Sequence, residues 1–155
     1  MYDLMIIGSG PAGISAALTA KARNLNFIWF GSRALSTKIE KAEKIMNYPG
    51  LPAVTGSEMQ SVFLKQIDDC GITITESQVN SIYDCGGYFA AGADNEIYEA
   101  KAVIMTVGMT TTREIEGEAR LLGCGVSYCA TCDGALYKNK DIAVICASPK
   151  FEDEV

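Results

Sequence analysis

Short apolar runs alternate along the chain with longer segments of mixed polarity, a pattern typical of buried strands separated by helices. Residues 4–7 and 27–30 are apolar throughout and are predicted to be strands. Between them, residues 14–22 are rich in alanine and apolar on one face, which predicts a helix. The order strand, helix, strand predicts a βαβ unit at the beginning of the chain.

The middle of the chain predicts a second helix followed by short strands. Residues 56–70 have helical spacing, and four apolar side chains share one face: Met59, Val62, Phe63 and Ile67. Four shorter stretches then alternate in polarity like strands joined by glycine-containing turns. These stretches are residues 72–75, 81–83, 88–91 and 97–100.

Two further apolar runs lie in the last third of the chain. Residues 102–108 are predicted to be another buried strand. Residues 141–146 are predicted to be the first strand of a second α/β unit. Strands alternating with helical segments in this order predict an α/β fold.

The composition restricts the function classes. Hydrophobic residues make up 48% of the 155 residues and charged residues 21%, as in a soluble globular protein. The net charge of −6 argues against a nucleic-acid partner, which requires a basic face. No apolar run is long enough to cross a bilayer, and the first seven residues lack the basic start of a signal peptide. We therefore expect a cytoplasmic protein with neither nucleic acid nor a membrane as partner.

The chain has no histidine, which excludes Ser-His-Asp and Cys-His catalysis and any zinc site that needs histidine. It has six cysteines, which are not expected to form a structural disulfide framework in the cytosol. Closely spaced cysteines therefore indicate redox chemistry or metal binding.

A glycine-rich turn follows the first predicted strand and reads Gly8-Ser9-Gly10-Pro11-Ala12-Gly13. Gly8 permits the sharp turn, Gly10 lets the backbone approach a pyrophosphate, and Gly13 lets helix and strand pack closely. Amide groups at the helix start then hold the phosphate anion. This context predicts a dinucleotide site; the alternative is a tight turn with a structural role.

The acid that usually binds the adenosine ribose is missing. It is expected near the end of the second strand, where the sequence reads Phe30-Gly31-Ser32-Arg33. We therefore expect the ribose to be held by Ser32 or by backbone groups.

Cys129 and Cys132 are separated by two residues and followed by Asp133. This spacing allows a reversible disulfide and can lower the pKa of a thiol. The alternative is a zinc site, which would need a second close pair, and none occurs among the other cysteines: Cys70, Cys85, Cys124 and Cys146. Redox chemistry is therefore favoured, and no metal is expected. Asp133 either caps a turn or protonates a leaving thiolate.

Residues 125–134 resemble the active-site segment of the low-molecular-weight thioredoxin reductases, a class II pyridine nucleotide-disulfide oxidoreductase family. The glycine turn, the run Asn47-Tyr48-Pro49-Gly50 and the run Thr106-Val107-Gly108 occur in the order and at about the separations of that family. The resemblance implies two Rossmann-like domains. The first, three-layered and over residues 1–109 here, binds FAD. The second, beginning at 110–155, is inserted, carries the two cysteines and normally binds NADPH.

The resemblance also implies roles for individual residues. Cys132 faces the flavin and receives its electrons, Cys129 attacks the substrate disulfide, and Asp133 acts as the acid–base residue. By the same resemblance, the expected substrate is thioredoxin or a similar dithiol protein, and the expected oligomeric state is a homodimer. The implied FAD-binding residues are Gly8, Ser9, Gly10, Pro11, Ala12, Gly13, Phe30, Gly31, Ser32, Asn47, Val79, Thr106, Val107 and Gly108.

The sequence departs from the family where a second glycine motif, Gly-x-Gly-x-x-Ala, binds NADPH. Residues 146–151 lack both glycines, Pro149 removes an amide that could meet phosphate, and Phe151 is bulky where a small residue is needed. Some relatives without this motif take electrons from ferredoxin. We therefore expect ferredoxin as the donor, with NADPH as the alternative.

The chain also ends before the family's later FAD segment, so it is expected to be a truncated enzyme or a piece of one. The leading interpretation is an FAD-dependent thioredoxin-disulfide reductase. The alternatives are a non-catalytic flavin-binding module that senses redox state and a zinc-binding module. These alternatives differ in flavin colour, turnover and zinc content.

Overall fold

The computed structural model describes residues 1–108, 115–128 and 134–145. The strands of the described residues form one five-stranded mixed sheet in the order β2-β1-β5-β4-β3. Its strands are β1 (Tyr2–Ile7), β2 (Phe27–Phe30), β3 (Val79–Asp84), β4 (Phe89–Ala93) and β5 (Glu96–Met105). The helices are α1 (Pro11–Ala22), α2 (Thr37–Glu40), α3 (Gly56–Asp69) and α4 (Glu118–Leu121), with a short 3₁₀ helix at Gly134–Tyr137. The predicted α/β fold and its βαβ unit are confirmed.

Strand β1 is the centre of the parallel half of the sheet. It pairs in parallel with β2 on one side and with the second half of β5 on the other, so that Ile6 stands beside both Trp29 and Ile104. Strands β3, β4 and the first half of β5 form an antiparallel meander. The carboxyl ends of β1, β2 and β5 therefore lie together at one edge.

Two apolar clusters cover the two faces of the parallel strands. Helices α1 and α3 cover one face, where buried Ile14, Phe63 and Ile67 pack with Ile6 and Trp29. The antiparallel half folds across the other face, and its alanines pack against the parallel strands: Ala91, Ala93 and Ala100. The rings of Phe30 and Tyr98 meet there edge to face, 5.0 Å apart. The result is three layers, as the Rossmann-like prediction requires.

Both long helices begin at residues that suit a helix start. Helix α1 begins at Pro11, directly after the N-cap Gly10 and three residues earlier than predicted, because proline is well tolerated at the first helical position. Helix α3 begins with a capping box formed by Thr55 and Glu58. Its predicted apolar face is correct except for Val62, which is 45% exposed.

The structure corrects the sequence predictions at the last parallel strand. The run predicted at 97–100 and the first part of the run predicted at 102–108 belong to one strand, β5, which ends at Met105. It changes partner at Ala100, which pairs with both Tyr2 and Phe89. The predicted burial of its second half is wrong, since Ile104 is 40% and Met105 62% exposed. Beyond Ala100, β5 pairs with β1 alone among the described residues.

Two other predicted strands do not form. Residues 72–75 make a single parallel bridge, between Thr75 and Phe30. Residues 141–145 have no strand pairing and are exposed, and residue 146 lies outside the described residues. A strand needs a neighbour for its backbone N–H and C=O groups, and no described segment supplies one to 141–145. Of the helices in the described part of the chain, none combines the length and apolar character needed to cross a bilayer.

Candidate functional site

The glycine turn lies at the carboxyl edge of the parallel strands and is held there by its carbonyl at Gly8. The indole Nε1 of Trp29 donates to this oxygen at 2.8 Å, and the Thr106 hydroxyl lies 3.1 Å from it. The same hydroxyl lies 2.9 Å from the carbonyl oxygen of Ile7. Side chains from β2 and from the end of β5 therefore fix the turn that follows β1.

The three glycines of the motif have different surroundings. Gly8 has φ +113°, and a Cβ there would stand 2.3 Å from the Thr106 carbonyl oxygen. A Cβ on Gly13 would stand 2.0 Å from the Gly8 carbonyl oxygen. A Cβ on Gly10, by contrast, would meet no atom within 4 Å. Gly8 and Gly13 are thus required by close packing, whereas Gly10 leaves the backbone open to a ligand.

An open cleft of about 1,280 Å³ lies over this turn. Twelve of the fourteen residues predicted to bind FAD line it: Gly8, Ser9, Gly10, Pro11, Ala12, Phe30, Gly31, Ser32, Val79, Thr106, Val107 and Gly108. Gly13 packs against the turn beneath. Asn47 borders an adjacent cavity of about 320 Å³, which shares Pro11, Lys38 and Tyr128 with the cleft. The predicted residues are therefore brought together, and their contact with FAD stays a prediction.

The Ser9 hydroxyl is engaged within the protein. It donates to the Leu35 carbonyl at 3.0 Å and accepts from the Ser32 N–H at 3.0 Å, and the side chain is buried. Gly31 passes close by, because a Cβ on it would lie 2.5 Å from the Ser9 Cβ. The Ser9 side chain therefore holds the loop after β2 against the glycine turn.

The segment 115–128 packs against the loop around residues 41–43. Gly123 has φ +83°, and a Cβ there would lie 2.2 Å from the Lys41 carbonyl oxygen. The Cys124 thiol bonds to the Glu43 carboxylate at 3.5 Å. This hydrogen bond raises the pKa of Cys124, which reduces its thiolate fraction and argues against a reactive role.

Tyr128 lies at the rim of the cleft and immediately precedes Cys129. Its hydroxyl donates to the buried Glu118 carboxylate, which also accepts from the Ile115 N–H at 2.7 Å. The Lys38 ammonium lies 5.2 Å from the centre of its ring. Tyr128 is thereby anchored beside the cleft.

The predicted catalytic residues Cys129, Cys132 and Asp133 lie outside the described residues. Their redox role and the zinc alternative therefore stay predictions from the sequence.

Sequence reasoning did not identify Trp29 and Glu76 as residues of the site. The indole of Trp29 supports the glycine turn, and Glu76 lines the cleft beside the end of β2. Trp29 is the single tryptophan of the chain and lies in a predicted buried strand. Its position in that strand could have indicated that its indole lies near the glycine turn. Nothing local marks Glu76, because it follows a strand that does not form.

Residues 2–149 match the sequence profile of the family described as pyridine nucleotide-disulphide oxidoreductase. The chain belongs to this family. The family is FAD-binding, which agrees with the dinucleotide motif and the open cleft at the edge of the sheet. The recognition made from the sequence is confirmed.

Individual relatives are similar over nearly the whole chain. A thioredoxin reductase of Bacillus subtilis (strain 168) is 32% identical over 146 residues, which are 94% of this chain and 46% of that protein. The crystal structure of thioredoxin reductase from Streptococcus pyogenes MGAS5005 is 35% identical with a TM-score of 0.78, covering 88% of this chain and 45% of that one. The chain spans about half the length of the curated relatives it matches.

A ferredoxin-flavin thioredoxin reductase from Clostridium acetobutylicum is also similar. Its crystal structure is 48% identical with a TM-score of 0.70, covering 88% of this chain and 47% of that one. Reductases named for ferredoxin and reductases not so named therefore both occur among the similar structures.

Proposed function

We propose that this chain is the FAD-binding part, with the start of the redox-disulfide part, of a flavin-dependent thioredoxin-disulfide reductase. The observation that carries the proposal is the open cleft over Gly10, with the residue before Cys129 at its rim. Residues 1–109 are the FAD-binding domain, and residues 110–155 begin the second domain. A cytoplasmic location and a homodimer are part of the same proposal and rest on the sequence and the family resemblance.

The cleft fits the dinucleotide part of FAD. Gly10 has φ −71° and presents bare backbone to the cleft, so a pyrophosphate can approach there without a clash. Helix α1 begins at Pro11, which has no N–H. The N–H groups of Ala12 and Gly13 precede the first bond of the helix, which runs from the Ile14 N–H to the Gly10 carbonyl at 3.0 Å. These groups and the positive end of the helix dipole suit an anion.

The chemistry belongs to the two cysteines. Bound FAD supplies two-electron redox chemistry. The reduced Cys129 thiolate attacks the substrate disulfide and forms a mixed disulfide, releasing one substrate thiolate, which Asp133 protonates. The Cys132 thiolate then attacks the Cys129 sulfur of the mixed disulfide, re-forms the Cys129–Cys132 disulfide and releases the second substrate thiolate, which takes a proton from water. Thioredoxin or a similar dithiol protein leaves with two thiols.

Replacing Gly10 with leucine tests the FAD site. The side chain would occupy the space through which the pyrophosphate approaches, so we expect FAD affinity to fall by roughly 100-fold. Losing the glycine N-cap costs about 1 kcal/mol, which is small beside a typical domain stability of about 5–15 kcal/mol, so the fold should survive. Quenching of flavin fluorescence measures binding, and circular dichroism verifies the fold.

The matched control is Ala22→Leu, which adds the same side chain at the exposed far end of the same helix. It should bind FAD as the original chain does. A Gly10→Leu variant with unchanged FAD affinity would contradict the proposed position of the pyrophosphate.

We propose ferredoxin as the electron donor. Residues 146–151 lack the glycine motif that binds NADPH, and one similar structure is a ferredoxin-flavin thioredoxin reductase. NADPH is the alternative, because thioredoxin reductases not named for ferredoxin are also similar.

Anaerobic reduction of the flavin distinguishes the two donors. Reduced ferredoxin should bleach the yellow absorption of the bound flavin, whereas an equal excess of NADPH should leave it within about a tenth of its starting value over the same time. Because residues 146–151 lack the glycine motif, we expect the contacts that would hold NADPH near the flavin to be missing. Rapid bleaching by NADPH would show that the proposed donor is wrong.

A further inference from the structure

The end of β2 carries no acid to accept the ribose hydroxyls of a dinucleotide. In Rossmann-like sites an acid at this point accepts the 2′-hydroxyl of the adenosine ribose, whereas an arginine nearby accommodates a 2′-phosphate. Arg33 follows β2 here, but two of its nitrogens bond to the Asp68 carboxylate at 3.0–3.1 Å. This pairing lowers the pKa of Asp68 and raises that of Arg33, so both groups stay charged and occupied with each other.

Glu76 reaches the same point from a different part of the chain. Thr75 bridges to Phe30, and its N–H donates to the Trp29 carbonyl at 2.7 Å. The Gly31 N–H donates in turn to the Thr75 carbonyl at 3.1 Å. The residue after Thr75 is thereby placed beside the loop that follows β2.

The Glu76 carboxylate is held facing this loop and lines the cleft. Its Oε1 accepts a hydrogen bond from the Arg33 N–H at 2.8 Å. A carboxylate has two oxygens and about four acceptor positions, so this bond leaves capacity for ribose hydroxyls. Ser32 was expected from the sequence, as an alternative to backbone groups, to hold the ribose, and its hydroxyl accepts from the Ala34 N–H at 3.1 Å.

We propose that Glu76 is the ribose-binding acid of this site and accepts the 2′-hydroxyl of the adenosine ribose of FAD. It takes the place of the missing acid of β2 from a segment 43 residues farther along the chain. Its negative charge also disfavours a 2′-phosphate, so the cleft selects adenosine without that phosphate. This inference rests on the proposed binding of FAD in the cleft.

Titration of FAD into three chains provides the first test: the original, Glu76→Ala and Glu76→Gln. A hydrogen bond to a charged acceptor predicts that Glu76→Ala weakens binding on the order of tenfold or more. Glu76→Gln keeps an acceptor for the Arg33 N–H but loses the charge, so we expect a smaller loss. Glu99→Ala removes another exposed carboxylate, in the antiparallel half of the sheet, and should leave FAD affinity unchanged.

Ribose analogues distinguish hydroxyl recognition from a structural role. The original chain should bind the 2′-deoxyadenosine analogue of FAD more weakly than FAD, on the order of tenfold. The Glu76→Ala variant should bind the two equally, because the acceptor is gone. Competition by ADP should exceed competition by 2′-phospho-ADP in the original chain, and this preference should shrink in both variants.

The outcomes separate this inference from the function on which it rests. If the original chain binds no FAD, the proposed function is overturned and the inference with it. If FAD binds, but Glu76→Ala binds it equally well or still discriminates against the 2′-deoxy analogue, only the role of Glu76 is overturned. Circular dichroism and Trp29 fluorescence check the fold, and if Glu76→Ala does not fold, Glu76→Gln decides by the same comparisons.

Discussion

Replacing Cys132 with serine should abolish reduction of disulfide substrates while leaving FAD bound. The proposed FAD contacts all lie between Gly8 and Gly108, so flavin content and colour should not change. The dithiol, however, can no longer receive two electrons as a disulfide. We expect turnover with a disulfide protein and ferredoxin as donor to fall on the order of 10³-fold or more, the scale of losing a residue that acts as part of a catalytic unit.

The same variant should also trap the substrate. Cys129 can still attack a disulfide, but no second thiol remains to release the mixed disulfide. A covalent adduct with an oxidised dithiol protein is therefore expected, visible by mass and removed by a small-molecule thiol. Cys124→Ser, which removes an exposed cysteine of raised pKa, is the matched control and should keep full activity. Full activity in Cys132→Ser would exclude the proposed redox role, and stoichiometric zinc without flavin would favour the zinc-binding alternative.

Replacing Gly13 with alanine should destabilise the fold by about 3 kcal/mol. Helix propensity alone predicts the opposite sign, because alanine is favoured over glycine in a helix by about 1 kcal/mol. The added Cβ, however, would stand 2.0 Å from the Gly8 carbonyl oxygen, which is backbone and cannot rotate away. Overpacking costs about 1–3 kcal/mol or more, and hydrogen bonds to this oxygen are worth about 1 kcal/mol each. The cost of the steric clash therefore exceeds the gain in helix propensity, and the net effect is destabilising.

Urea unfolding followed by circular dichroism measures this effect, and a thermal scan should show a midpoint lower by roughly 6–12 °C. Trp29 fluorescence should change as well, because its indole bonds to the displaced carbonyl. Gly10→Ala is the matched control, since its Cβ meets nothing within 4 Å and its φ is −71°. A Gly13→Ala variant as stable as the control would show that the turn is looser than its geometry indicates.

The sequence correctly predicted those elements whose structure depends on residues close together in the chain. The βαβ unit and the helix over Gly56–Asp69 follow from apolar spacing within single elements. The strand predictions are wrong where pairing with a neighbouring strand determines whether a strand forms. Two predicted strands are parts of β5, because Ala100 pairs with β1 on one side and with β4 on the other. Residues 141–145 form no strand, because no described segment pairs with them.

The candidate site was predictable to a similar extent. The glycine motif marked the place of the cleft, since its residues are adjacent in sequence. The hydroxyl of Ser9, by contrast, bonds to the loop after β2, and the carboxylate beside that loop belongs to Glu76. Such placements depend on contacts between segments that are far apart along the chain, which spacing rules do not describe.

The sequence by itself determined the family, the glycine turn and the pair of cysteines, because each is a short run whose chemistry depends on adjacent residues. Only the tertiary structure showed that there is free space for a ligand beside Gly10, whereas Thr106 packs against Gly8 and the Gly8 carbonyl packs against Gly13. It also decided that Glu76 stands beside Arg33 at the rim of the cleft. Pairing between strands brings these residues, which are distant in sequence, together at one edge of the sheet, where they form the cleft over the glycine turn.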